Sequence, residues 1–315
     1  MNIIIHRGTH QIGGSAIEIS TASTRIILDF GNELSLDEKY TPINLDIDGV
    51  TKGILDCDGI VISHYHMDHL GQLTSALPEI PLYMGELSKE VAMIATEHQD
   101  KDLYLRLLDA NTFRGGEAFT IGNIHIRPLV IDHSAVDSYM FVIEAEGKRV
   151  LYTGDFRMHG VRGHVLEKLI RTYIGNVDVL ITEGTSLSRN AHDGISEREV
   201  LDDISSYIQD GKYVFVMCSS TNIDRIMGIW HNMPTDKVLI CDAYQKRILD
   251  TVIDNVYYNS SLYRRPDSPL VLDIGAYPKY YMDNGFVSLV RGTENYISQI
   301  KKFPKDCLLY TSDAA

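Results

Sequence analysis

The chain has 315 residues, 44% of them apolar, and carries 43 Asp and Glu against 29 Lys and Arg for a formal net charge of −14. That length suffices for one large or two moderate cores, and the acid excess excludes binding nucleic acid through a general basic surface. It leaves room for a nucleic-acid enzyme, because bound metal ions can be the largest positive charges in a site.

No run of 18 apolar residues is present, which excludes a helical membrane span. Met1-Asn2-Ile3-Ile4-Ile5-His6-Arg7 turns polar too soon for a signal peptide and reads as a first strand. Cys57, Cys218, Cys241 and Cys307 lie far apart without paired spacing, as expected of a reduced, cytoplasmic protein.

In chain order, residues 3–5, 16–19 and 25–28 are short β-type runs separated by Gly13-Gly14 and by residues 21–24. Residues 59–63 form a buried strand, and a helix is expected from near Leu70. Residues 86–108 have helical periodicity. Two hairpins follow, with turns at Gly122-Asn123 and Glu146-Gly147. Meandering strands with interspersed helices predict stacked β layers covered by helices.

From residue 196 the pattern changes. Ser196-Glu197-Arg198-Glu199 is a capping box that opens a helix, and Gly211 ends it. Apolar strands at 213–218, 237–241 and 270–274 then alternate with helices at 222–230 and from Tyr244, which predicts a parallel α/β sheet. The expected domains are residues 1–195 and 196–307. Residues 308–315 resemble translated sequencing-adapter DNA at a broken gene end, so they are expected to be an artificial tail on a truncated chain.

The chemistry concentrates in His64-Tyr65-His66-Met67-Asp68-His69. An extended chain puts His64 and His66 on one side, two residues apart, with Asp68 and His69 at the start of the next helix. Three imidazoles and a carboxylate in six residues suit zinc. Two further candidates, His133 and Asp155, follow hairpin strands, where a rigid sheet presents functional groups in its loops.

This His-x-His-x-Asp-His pattern, with a later His and a later Asp, resembles the metallo-β-lactamase fold family over roughly residues 1–185. The resemblance implies an αββα sandwich, incomplete here, with two zinc ions. His64, His66 and His133 would hold one, and Asp68, His69 and a bridging Asp155 the other. Gly13-Gly14 resembles the family's turn near the metal mouth. The family's further zinc-binding histidine, near the end of the fold, has no counterpart, since none of the last 84 residues is histidine. His159, His164 and His192 are candidate local substitutes, though none stands at the family position.

The strand at 176–182 delivers Glu183, and Glu183-Gly184-Thr185-Ser186 resembles an acidic motif of the β-CASP nucleases, the group that includes bacterial ribonuclease J. Tyr152-Thr153-Gly154-Asp155-Phe156-Arg157 is similar to their Thr-Gly-Asp-Phe segment, and the α/β region after residue 196 lies where their β-CASP domain is inserted. The resemblance implies zinc-dependent phosphodiester hydrolysis of RNA. Asp68 would orient the attacking water, and Glu183 would position the general acid. Ser219, Ser220 and Asn222, between a strand and a helix, are a candidate phosphate seat. Residues 148–192, with seven Lys or Arg against four Asp or Glu, form a locally basic stretch. The alternatives are hydrolysis of a small ester, thioester or lactam, and a non-catalytic member of the fold that binds RNA or a partner.

Overall fold

The computed structural model describes residues 1–34, 43–185, 195–258, 260–272, 278–304 and 307–311. Two compact units share the chain. One comprises Met1–Met158 and Arg162–Asp193, the other His159–Val161 and Gly194–Ala315.

The first unit is a two-sheet sandwich. Its first sheet runs in the order β1 (Asn2–Arg7), β2 (Ala16–Ser20), β3 (Arg25–Leu28), β4 (Gly59–Val61), β5 (Leu82–Gly85) and β6 (Asn111–Phe113). The first three strands are antiparallel neighbours and the last three join in parallel. Its second sheet contains β7 (Phe119–Ile121), β8 (Ile124–Ile131), β9 (Ser138–Ala145), β10 (Lys148–Tyr152) and β11 (Val179–Ile181), each beside the next. The two expected hairpins are β7–β8 and β9–β10.

Side-chain alternation explains why this sheet has two covered faces. On β9, Tyr139, Phe141 and Ile143 point into the inter-sheet core with Ile17, Ile19, Ile26, Leu28 and Val61. Met140 and Val142, one residue out of phase, point the other way and pack with Leu166 and Ile174. Leu166 opens the helix α4 (Leu166–Leu169). Among the described residues this unit also contains the α-helices α1 (Met67–Leu70), α2 (Glu86–Thr96) and α3 (Lys101–Leu108).

Two helix expectations need correction. The helix expected near Leu70 starts at Met67 and lasts one turn, because the backbone there is drawn onto the end of β3. Phe30 N–H donates to His69 O at 2.6 Å and Asn32 N–H to Met67 O at 2.9 Å. The single helix expected over residues 86–108 is two, because Asp100 caps a new one, its carboxylate accepting from Leu103 N–H at 3.0 Å.

The second unit opens with α5 (Glu197–Asp210), capped by Ser196 and Glu199 as the sequence predicts. Its sheet contains β12 (Tyr213–Met217), β13 (Val238–Cys241), β14 (Leu270–Leu272), β15 (Phe286–Val290) and β16 (Leu308–Thr311) in the order β14-β13-β15-β12-β16. Every pairing in it is parallel. The helices are α6 (Ile223–His231), α7 (Ala243–Asn255), α8 (Lys279–Asn284) and α9 (Glu294–Ile300). Residues 308–311, set apart from the fold on sequence grounds, pair with β12, while 312–315 lie outside the described residues. Residues 273–274, expected to end a strand, also lie outside them. Among the described residues no helix is long and apolar enough to cross a membrane.

Candidate metal centre

The site grows from strand ends. β4 stops at Val61, and Ser63 to His69 then run across the tips of both sheets. The loop after β3 supports them from below. There Gly31 passes so close that a Cβ would lie 1.6 Å from Asp68 O, so only glycine fits. Gly13, at φ +75, approaches from the other side, and a Cβ there would fall 2.9 Å from Asp68 Cβ. This places the expected Gly13 turn beside the histidine segment.

His64 Nε2 lies 3.1 Å from His66 Nδ1, and His133 Nε2 lies 3.1 Å from the same atom. Three imidazole nitrogens thus face one point. A second set joins His64, His69 and Asp155. Asp155 spans the two, with Oδ1 3.3 Å from His69 Nε2 and Oδ2 3.9 Å from His133 Nε2. Within each set the donor atoms lie within 4.8 Å of one another, close enough for one ion to touch all three.

The second set differs from the expected one. It adds His64 to the expected His69 and Asp155, while Asp68, expected there as well, has its Oδ2 3.6 Å from His69 Nε2. His159 and His164 are exposed and join neither set, and His192 lies outside the described residues.

Burial sets the charge of these groups. It holds His64 and His133 well below the usual imidazole range and His66 at about 4, with neighbouring imidazoles adding to the effect. Neutral imidazoles are the form that binds a metal. Burial would lower His69 too, but the carboxylates of Asp29 and Asp155 outweigh it and hold the pKa well above normal. Burial alone would raise Asp155, yet the attraction of His69 takes it down to about 2. Burial raises Asp68.

Asp29, which the sequence reading missed, organises the floor. It is fully buried at φ 54 and accepts from Ser63 N–H at 2.6 Å, Ser63 Oγ at 2.7 Å, His69 Nδ1 at 2.7 Å and Tyr152 Oη at 2.5 Å. Ser63 Oγ also lies 3.0 Å from His64 Nδ1. Because a carboxylate only accepts, Ser63 must spend its proton on Asp29, so His64 Nδ1 carries a hydrogen and Nε2 is left with a lone pair toward the metal point. An acid ending an apolar strand before a glycine, Leu28-Asp29-Phe30-Gly31, was the available signal.

Glu183 lies at the end of β11. Its Oε1 accepts from Phe156 N–H at 2.8 Å, and burial raises its pKa. It therefore holds the backbone beside Asp155. Ser186, the last residue of its motif, lies outside the described residues. Asp132 holds the loop after β8, accepting from Arg157 Nε at 3.3 Å and from Arg162 N–H.

The second unit contains Ser219, Ser220 and Asn222 at the start of α6. Ser219 Oγ pairs with Thr221 Oγ1 at 2.9 Å. Ser220 Oγ and Asn222 Oδ1 are buried without a hydrogen-bond partner among the described residues, and Asn222 does not cap the helix with its side chain.

The fold and donor sets define a metallo-β-lactamase-fold protein. The Beta-lactamase superfamily domain matches residues 25–205, more than half of the chain, and the chain belongs to that family. It is similar to an RNase J-like protein of Methanocaldococcus jannaschii, 27% identical over 67% of this chain and 49% of that one. It is also similar to ribonuclease J 2 of Streptococcus pyogenes, 26% identical over 71% of this chain and 41% of the relative. Endoribonuclease YSH1 of Gibberella zeae is 24% identical over 82% and 32%. The chain thus spans about half the length of these curated relatives, or less. A crystal structure of a protein of unknown function from Enterococcus faecalis V583 shares the fold, with a TM-score of 0.72 over 98% of this chain and 87% of that one at 17% identity.

Proposed function

We propose that the chain carries the two-zinc centre of a β-CASP-type ribonuclease similar to ribonuclease J and hydrolyses phosphodiester bonds of RNA. The observation that carries this reading is the convergence of His64, His66, His133, His69 and Asp155 into two touching donor sets. Nitrogen-rich sets with one carboxylate suit zinc better than harder cations. Zinc bound there supplies a Lewis acid and water that ionises near neutral pH. Asp68, at the edge of the sets, orients the attacking water. Asp29 and Glu183 hold His69 and the Asp155 loop in place.

The names of the relatives support RNA as substrate, and the second unit fits it. Ser220 has a buried hydroxyl, without a hydrogen-bond partner among the described residues, at the amino end of a nine-residue helix, where backbone N–H groups and the helix dipole favour a phosphate. Zinc-loaded protein is expected to degrade single-stranded RNA, and Asp68→Ala to slow it by about 10²–10⁴-fold. Zinc-dependent turnover of a lactam or thioester with RNA untouched overturns the reading.

A further inference from the structure

We propose that Tyr65 is a positioning residue for His133, fixing the loop that delivers this third imidazole to the His64–His66 pair. The proposal rests on the metal-centre reading above. Tyr65 is only 5% exposed, and its ring stands edge-on to that of His66, with centroids 5.6 Å apart. Its Oη accepts a hydrogen bond from Val136 N–H at 2.9 Å. Val136 lies three residues beyond His133, in the same loop between β8 and β9, and is fully buried. The residue between two ligands of the segment thereby grips the backbone that carries the third.

His133 needs such a grip more than His64 and His69 do. His64 and His69 are each oriented through Nδ1, by Ser63 and Asp29. Metal-binding histidines ordinarily take their orientation from such a bond to the second nitrogen. His133 Nδ1 is buried and has no hydrogen-bond partner among the described residues. Its ring must then be placed by the course of its own backbone.

The loop ends are pinned independently. Asp132 is held by Arg157. Asp137, at φ 61, accepts from Ser88 N–H at the start of α2 at 2.9 Å and from Tyr139 Oη at 2.6 Å. Between these ends, the Tyr65 hydroxyl links the loop to the histidine segment itself.

Tyr65→Phe tests the proposal, since it removes the hydroxyl and keeps the ring. Tyr263→Phe is the matched control. It removes a buried hydroxyl bonded to Asp224 in the second unit. Zinc affinity of the tighter site, measured by chelator competition, is expected to fall about tenfold or more in Tyr65→Phe, with no change in Tyr263→Phe. In metal-free protein the nuclear Overhauser contact between the His66 and His133 rings should weaken in Tyr65→Phe alone. That contact decides the Tyr65 inference even if the wild-type chain binds no zinc, a result that would sink the metal reading instead. If Tyr65→Phe keeps wild-type zinc affinity and ring contacts, losing only thermal stability as the control does, the proposal is overturned. Should the variant not fold, zinc titration of the wild type is read at the Val136 amide. A shift with the first equivalent supports the link, and none refutes it.

Discussion

The two sides of the metal centre are built from opposite electrostatics. On the His66–His133 side, burial keeps the imidazoles neutral, with His66 at about 4, so none of them carries a second proton at physiological pH. On the His69–Asp155 side, two carboxylates flank one imidazole and hold a proton on it. His64 belongs to both sets. One side is prepared for a metal by desolvation. The other is prepared by charge, with a proton standing where a cation is to bind.

The largest test of this contrast is Asp29→Ala. Asp29 is buried under four donors, one of them the His69 ring. Removing the carboxylate strands His69 and the Ser63 and Tyr152 hydroxyls without an acceptor, at an expected cost of about 3–5 kcal/mol in urea unfolding. Loss below 1 kcal/mol would show that charge does not organise that side.

Acid gives a second, smaller test, and its sign differs between the sides. Unfolded histidines take up protons below pH of about 6.5. Folded His64, His66 and His133 resist them, so their contribution to stability falls as pH drops from there toward the lowered folded values. His69 runs the other way. Its contribution is full below about 6.5 and is lost as pH rises through its raised folded value. Metal-free protein should therefore lose stability between pH 7 and 5, about 1–2 kcal/mol of it from His66, and His66→Gln should flatten the profile. With zinc present, protons should reclaim His69 first, so native mass spectrometry should show one zinc leaving before the other as pH falls. Simultaneous loss would break the contrast.

How far this was legible in the sequence follows from distance along the chain. The six-residue histidine segment announces itself because its ligands are adjacent, and His133 and Asp155 could be found at the ends of strands with clear patterning. The strands of β7–β10 were readable because a hairpin's turn residues and its alternation are local. The Asp29 floor was not, because Tyr152 reaches Asp29 across 123 residues and between two sheets. Nor could spacing show that His64 would sit in both sets, since that depends on how the one-turn helix α1 places Asp68. The break at Asp100 was local, but the periodicity on either side of it masked the cap.

Ser63 offers the smallest and most discriminating change, because it is where the two sides meet. Its hydroxyl gives its proton to Asp29 on the charged side and lies against His64 Nδ1, the ring shared by both sets. Its backbone N–H still reaches Asp29 whatever its side chain is. Ser63→Ala therefore leaves the floor standing and removes only the relay, at an expected cost of about 1 kcal/mol. The consequence for the metals should be uneven. His69 keeps its own bond to Asp29, so its orientation survives. His64 loses the acceptor that fixes its tautomer, and a fraction of its rings should carry the hydrogen on Nε2, the nitrogen aimed at the metal point. Because His64 has a single lone pair, at Nε2, it can ligate one ion at a time, so zinc affinity should fall at the set that takes it, whereas Asp29→Ala should weaken the His69 side more than the other. Nitrogen-15 spectra of the His64 ring in metal-free Ser63→Ala would report the mixed tautomer directly. A single Nδ1–H form there would mean that burial alone sets the ring, and that the two sides are not coupled through Ser63.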